Sequence, residues 1–143
     1  MSSCKPLIRI YADMVADLFH RGHVEFLKSA RVVVPSPVYL LVGIHADDVC
    51  ASYKRKPIFS FEDRCSIVQA CKYVDEVITG VPLKITEEFI TIHRIDYVVH
   101  GDDMTDFMKT CYEVPINKNI MKYVSYYKAI STTRIIRYIK GLN

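Results

Sequence analysis

The sequence predicts an α/β fold: a doubly wound parallel sheet in three layers, with helices on both faces, in a single domain spanning residues 1–143. Three observations predict it. Short apolar runs recur along the chain, at Leu7–Ala12, Val38–Ile44, Val74–Thr79 and Ile95–His100. Segments of helical period separate them, beginning near His23, Ser60 and Thr86. The run from Val38 to Ile44 is apolar almost throughout rather than alternating, as a strand covered on both faces requires. Strands and helices alternating at this spacing form βαβ units with right-handed crossovers, and such sheets bind ligands at the carboxyl ends of their strands.

Each element has its own justification. Leu7–Ala12 reads as a buried strand. His23–Val33 places Val24, Leu27 and Ala30 on one helical face. Val38–Ile44 is the second strand. In Ser60–Tyr73, Ser60 caps a helix whose first turn carries Glu62 and Asp63, charges that suit a helix start. Val74–Thr79 is a strand, Thr86–His93 a short helix capped by Thr86, and Ile95–His100 a strand. Residues 101–120 read as irregular and polar, with mobile loops expected at Cys50–Pro57 and Gly101–Val114. Lys122–Ser125 reads as an edge strand, and Ser131–Ile139 as a last helix capped by Ser131 or Thr132.

Composition narrows the class. The 143 residues are 50% hydrophobic, enough for one core, and 24% charged. A net charge of +3 without a Lys/Arg block argues against nucleic acid and allows a local anion site. No apolar run approaches membrane-spanning length, and Met1–Pro6 lacks the apolar core of a signal peptide. Five cysteines without a CxxC pair argue against a disulfide framework or zinc ribbon, and a reduced cytoplasmic setting is expected.

The most informative stretch is His20-Arg21-Gly22-His23, which follows the first apolar run and a short turn. Two imidazoles three apart share one face of a first helical turn. The intervening Gly removes a side chain where a ligand would approach the backbone. A helix N-terminus adds unpaired N–H groups and partial positive charge. Together these suit a phosphate and point to a nucleoside triphosphate. A pair of surface histidines or half of a metal site fits the HxxH spacing alone.

A longer resemblance surrounds this motif. Ile10-Tyr11-Ala12-Asp13-Met14-Val15-Ala16-Asp17-Leu18-Phe19-His20-Arg21-Gly22-His23 resembles the signature of the cytidylyltransferases of the HxGH nucleotidyltransferase superfamily. Cys71-Lys72-Tyr73-Val74-Asp75-Glu76-Val77 is similar to their R/K-Y-V-D-E-V segment, His100-Gly101-Asp102-Asp103 to HGDD, and Ile130-Ser131-Thr132-Thr133 to the end of RTxGISTT. The matches fall in family order and lie nearest to the choline-phosphate and ethanolamine-phosphate cytidylyltransferases.

The resemblance implies a Rossmann-like domain and a reaction in which a substrate phosphate oxygen attacks the α-phosphate of CTP and pyrophosphate leaves. Mg²⁺ would assist, and no covalent enzyme intermediate is implied. His20, His23 and Lys54 would be catalytic, the lysine bridging the phosphates of both substrates; a solvated basic loop at 52–57 is the plain alternative for Lys54 and Lys56. Ala12, Asp13, Asp17, Gly22, Arg64, His100, Lys128, Ile130, Ser131 and Thr132 would bind nucleotide. Arg64 would reach from a helix start toward the triphosphate, unless it is a helical Arg paired with Ser60 or Asp63. Asp13 would hold its loop, and Asp17 would orient a histidine or help hold the metal. Asp102 would face the cationic amine of the second substrate, with Leu83 and Tyr112 beside it; a paired-carboxylate metal site at Asp102 and Asp103 is the alternative. No protein metal ligand set is assigned. His45 and His93 read as structural or surface residues, and Tyr126 and Tyr127 as core or dimer contacts.

The departures from the pattern fall at functional positions. Met14 and Ala16 stand where the family has Gly and an aromatic residue, so Met14 would narrow the nucleotide's room. Tyr126-Tyr127-Lys128-Ala129 replaces Arg-Thr-x-Gly, so Lys128 would have to stand in for an Arg without its planar fork. Arg134 replaces an Asp. Leu83 stands where choline-type enzymes carry Trp, and the aromatic after the paired aspartates is missing. Each well-placed ring is worth about 0.5–2 kcal/mol to a quaternary ammonium, so these losses tilt the expectation toward phosphoethanolamine over phosphocholine. Two other readings remain open: another HxGH nucleotidyltransferase using glycerol-3-phosphate or ATP, and a catalytically weak nucleotide-binding protein. The resemblance also implies a homodimer through Tyr73–Val77. The chain stops soon after its last helix, so no membrane-binding segment is expected.

Overall fold

In the computed structural model, which describes residues 7–142, one five-stranded parallel sheet organises the chain. The strands are β1 (Ile8–Met14), β2 (Val38–Ile44), β3 (Glu76–Thr79), β4 (Tyr97–Gly101) and β5 (Met121–Val124). Their spatial order is β3-β2-β1-β4-β5, and every pairing is parallel. This is the doubly wound arrangement, with the winding reversed between β1 and β4. The helices are α1 (Arg21–Ala30), α2 (Asp47–Tyr53), α3 (Phe61–Gln69), α4 (Glu87–Ile92), α5 (Asp106–Cys111), α6 (Glu113–Asn117) and α7 (Thr132–Lys140). Met1–Pro6, on which the reading of the N-terminus rests, lies outside the described residues. Among the described residues no helix is long and apolar enough to cross a membrane.

Alternation along the strands builds two cores. Ile10, Ala12, Leu40, Val42 and Ile44 face one side with Leu27 and Ala30 of α1 and Val68 of α3. Tyr11, Leu41 and Val98 face the other with Ile85, Ile90 of α4 and Cys111 of α5. Sheet residues 10, 11 and 12 are fully buried, so both faces are covered, as a parallel sheet demands. Gly43 is required by close packing, since a Cβ there would lie 2.2 Å from the Tyr11 hydroxyl oxygen.

Two expectations are corrected. The loop expected at Cys50–Pro57 begins inside a helix, α2, which has no side-chain cap and buries only Cys50. It therefore carries no apolar period to read. The stretch 101–120 is not irregular: it holds α5, capped by Thr105 Oγ1 accepting the Met108 N–H at 3.2 Å, and α6. These helices have six and five residues, too short for a period to show. The other elements lie where expected, with shifted ends. The segment expected to run from His23 to Val33 ends at Ala30, and the guanidinium of its C-cap residue Arg31 bonds Val38 O, Tyr73 O and Asp75. The Ser60–Tyr73 helix ends at Gln69.

Candidate active site

The reversal between β1 and β4 opens a cleft of about 560 Å³ at the carboxyl ends of the strands. Asp13 and Met14 end β1, and His100 and Gly101 end β4; all four line it. The starts of α1 and α7 meet at the same opening, through His20, Gly22 and His23 on one side and Ile130, Ser131 and Thr132 on the other. Two helix N-termini therefore direct partial positive charge into one space.

The two histidines cap α1 reciprocally. His20 is the N-cap residue, and its Nδ1 accepts the Gly22 N–H at 3.0 Å. His23, at the third helical position, accepts the His20 N–H at its own Nδ1 at 3.0 Å. An Nδ1 that accepts carries no proton, so each neutral ring holds its proton on Nε2. Burial lowers the pKa of His20. Burial, then the neighbouring His20 and Lys54, pull His23 down to about 3. Both rings are thus neutral N–H donors near pH 7. The geometry also explains Gly22: a Cβ there would lie 2.7 Å from His20 Cε1, inside the space the ring occupies.

The loop behind this cap is strained and tightly tied. Ala16 and Leu18 have φ of 59° and 48°, left-handed values that cost non-glycine residues energy. Asp17 holds the turn, accepting from Leu18 N, Ile58 N and Phe59 N at 3.1, 2.8 and 2.9 Å. Thr132 Oγ1 donates to Asp17 O at 2.9 Å, joining α7 to the same loop. Asp17 therefore anchors segments rather than a single histidine.

Arg64 is corrected as a nucleotide ligand. It is fully buried and outside the cleft lining. Its guanidinium donates to Val15 O at 2.7 Å, His45 O at 2.9 Å, Phe59 O at 3.3 Å and Asp47 Oδ1 at 2.6 Å. It ties the β1–α1 loop, the end of β2 and the start of α3 together, and its partner is Asp47 rather than Ser60 or Asp63. Ala12, also expected to bind nucleotide, is buried in β1 and outside the lining.

Lys54 lines the cleft at the end of α2, and Lys56 does not. Arg55 lines it as well, with a buried Nε that has no hydrogen-bond partner. Lys128, expected to bind nucleotide, lies outside the lining, and its carbonyl accepts from Arg134 Nη1 at 2.9 Å. Arg134 thus folds back on its own helix cap, also reaching Ala129 O at 3.1 Å, which gives a cation at this helix start a structural partner. Ser131 Oγ caps α7 by accepting the Arg134 N–H at 3.2 Å.

The far end of the cleft is carboxylate and aromatic. Tyr112 hydroxyl donates to Asp13 Oδ1, and Asp13 Oδ2 lies 3.5 Å from His45 Nε2. His45 Nδ1 lies 3.1 Å from the Tyr53 hydroxyl, and the Tyr53 ring stacks on Phe107 at 5.9 Å. Burial, then the Asp13 charge, holds Tyr112 well above its ordinary pKa, and burial raises Tyr53, so both remain O–H groups. Leu83 and His100 line the cleft, the His100 ring edge-on to Tyr112 at 5.0 Å. Asp102, expected to face the amine, lies outside the lining with Oδ1 accepting the Tyr126 N–H at 2.9 Å, while Asp103 lines the cleft. Tyr126 and Tyr127, read as core or dimer contacts, line the cleft. His45, read from the sequence as structural or superficial, is buried on the cleft wall. Its position just past β2, beside the reversal, was the available signal.

Among the described residues no group of three or more His, Cys, Asp and Glu is placed to hold a metal. The carboxylates facing the cleft are Asp13, Asp17 and Asp103, and Asp17 has both oxygens engaged. This donor set fits a cation carried chiefly by phosphate oxygens and water, the usual habit of Mg²⁺.

The comparisons with known proteins agree with the geometry. A family model described as Cytidylyltransferase-like matches residues 12–138. The chain is 41% identical over 137 residues to ethanolamine-phosphate cytidylyltransferase of Arabidopsis thaliana, covering 91% of this chain and 32% of that one. It is 36% identical to choline-phosphate cytidylyltransferase 2 of Arabidopsis thaliana, covering 99% and 48%. It is 40% identical to choline-phosphate cytidylyltransferase A of Rattus norvegicus over 99 residues, covering 69% and 27%. The chain thus spans about a quarter to a half of the length of these curated relatives. The lipopolysaccharide core biosynthesis protein from Thermoplasma volcanium GSS1 shares the fold, with a TM-score of 0.70 at 22% identity over 86% of this chain and 100% of that one.

Proposed function

The chain belongs to the cytidylyltransferase-like family, and on that premise we propose that it transfers CMP from CTP to phosphoethanolamine or phosphocholine. The products are pyrophosphate and a CDP-amino-alcohol for phospholipid synthesis. The observation that carries this reading is the reciprocal cap of His20 and His23, which leaves two neutral Nε2–H donors where α1 and α7 begin. Support for the acceptor comes from the Asp13 carboxylate at the far end of the cleft, a counter-charge for an ammonium.

The chain's residues then divide the work. His20 and His23 donate to phosphate oxygens as charge builds during displacement at the α-phosphate. Such donors act most strongly when fixed beforehand, and the cap fixes both rings. The starts of α1 and α7, with Ser131 and Thr132, bind the β- and γ-phosphates. Lys54 spans the phosphates of the two substrates and Arg55 adds a second cation. Asp13 holds the amine end of the acceptor. Mg²⁺ riding on the CTP phosphates would neutralise part of their charge. The chemistry is positioning and electrostatics, without a covalent enzyme intermediate. The homodimer read from the resemblance would form through Tyr73–Val77, where β3 is a sheet edge. Placement in the cytoplasm is part of the same proposal, consistent with the free cysteines 50, 65, 71 and 111.

One observation favours a second reading. Met14 lines the cleft and Lys128 stands outside it, so a protein that binds CTP without turning it over is the rival. Pyrophosphate release from CTP and Mg²⁺ with phosphoethanolamine, phosphocholine or glycerol-3-phosphate decides between them. Release with a phospho-amino-alcohol supports the proposal. Silence with every acceptor, from folded protein that binds CTP, overturns it.

A further inference from the structure

Asp13 Oδ2 and His45 Nε2 are both buried, both without a hydrogen-bond partner, and 3.5 Å apart. Their side chains are 4% and 5% exposed. Buried polar atoms are almost always paired, and the neighbouring Arg64 guanidinium is held by four acceptors. Two adjacent unpartnered atoms on the cleft wall, too far apart for a strong bond to each other, are left to meet a ligand atom. We propose that His45 is a specificity-determining residue which, with Asp13, reads the N–H groups of the acceptor's ammonium and selects a primary ammonium over a trimethylated one. This rests on the reading of the acceptor as a phospho-amino-alcohol and goes beyond it by naming which one.

His45 Nδ1 lies 3.1 Å from the Tyr53 hydroxyl. When Nδ1–H donates to that oxygen, Nε2 presents a lone pair beside the carboxylate. The Tyr112 hydroxyl already satisfies Oδ1, so Oδ2 is the carboxylate oxygen left over. Two acceptors facing one point suit a donor with at least two N–H bonds and a positive charge. A primary ammonium has three. A trimethylammonium has none, and entering here it would leave both acceptors buried and unmade. Sites built to receive hydrogen bonds reject analogues lacking the donor far more sharply than apolar pockets reject an extra methyl group. Tyr53, stacked on Phe107, narrows the wall around the ring.

The test is the ratio of kcat/KM for phosphoethanolamine over phosphocholine in the wild type, His45→Leu, His45→Gln and Tyr53→Phe, with thermal melts to confirm folding. The expected wild-type ratio is well above 10. His45→Leu should lower it at least tenfold through KM for phosphoethanolamine, leaving KM for CTP unchanged. His45→Gln, which keeps an acceptor, should retain most of the preference, and Tyr53→Phe should fall between. A wild type that prefers phosphocholine, or a His45→Leu enzyme that loses both substrates in equal proportion, overturns the assignment while cytidylyl transfer stands. Calorimetric binding of the two phospho-bases to the same proteins reads the discrimination without turnover. A wild type inactive with both sinks the transferase reading, and equal binding of the two sinks this one.

Discussion

The backbone N–H of His20 donates to Nδ1 of His23 at 3.0 Å, so the second histidine of the motif closes the helix cap that the first begins. One arrangement supplies both helix stability and a pair of oriented Nε2–H donors. The two roles are separable by substitution.

His20→Asn is the cleanest separation. Asn is a good N-cap and keeps an acceptor for the Gly22 N–H, but it removes the imidazole donor. Thermal or denaturant unfolding should place its stability within about 1 kcal/mol of the wild type. Its kcat should fall by about 10²–10³, the usual loss when one fixed donor to a developing anion is removed.

His23 makes stability depend on acid. Its pKa is near 6.5 in the unfolded chain and about 3 when folded, chiefly because of burial. Between these values the unfolded chain binds the extra proton, so stability rises with pH and is lost as pH falls from about 6.5 toward 3. The slope reaches about 1.4 kcal/mol per pH unit for one such group. His23→Gln keeps a side chain suited to the third position of a capping box and does not titrate. Urea unfolding from pH 7.5 to 4.5 should show a shallower loss for the variant than for the wild type.

Arg64 is predicted to matter for stability first. Arg64→Met removes the guanidinium donor from Val15 O, in the loop that carries Asp17 and the histidine cap, and from His45 O at the end of β2. Leaving buried acceptors unmade should cost about 2–5 kcal/mol in chemical denaturation. CTP affinity should fall with it, because the loop proposed to seat the phosphates is loosened.

Arg55 should bind nucleotide. Arg55 lines the cleft and its buried Nε has no hydrogen-bond partner, while Tyr126-Tyr127-Lys128-Ala129 carries no Arg where the resembled Arg-Thr-x-Gly segment has one. Arg55→Ala should raise KM for CTP by about tenfold, the value of one charge-assisted contact of ~1.4 kcal/mol. Steady-state kinetics at saturating acceptor measure it, and unchanged KM would show that Arg55 serves only the loop.

What the sequence revealed follows from physics. Val38–Ile44 was legible to the residue because a fully buried strand writes itself as an unbroken apolar run. Ser60, Thr86 and Ser131 were legible as caps because a hydroxyl before a helical segment has one common use, and each accepts from the third residue on. α2 was not legible, since it buries a single cysteine. The histidine motif announced the site, but side-chain direction at Arg64, Asp102 and Lys128 depends on loops folded from distant segments. His45 looked ordinary because its partners, Asp13 and Tyr53, come from other elements.

A crystal structure of the protein with CTP or the CDP-amino-alcohol bound tests the central claim most directly. The account predicts phosphate oxygens about 3 Å from Nε2 of both His20 and His23, above the starts of α1 and α7. Phosphates seated elsewhere, or rings turned so that Nδ1 rather than Nε2 meets them, would contradict it.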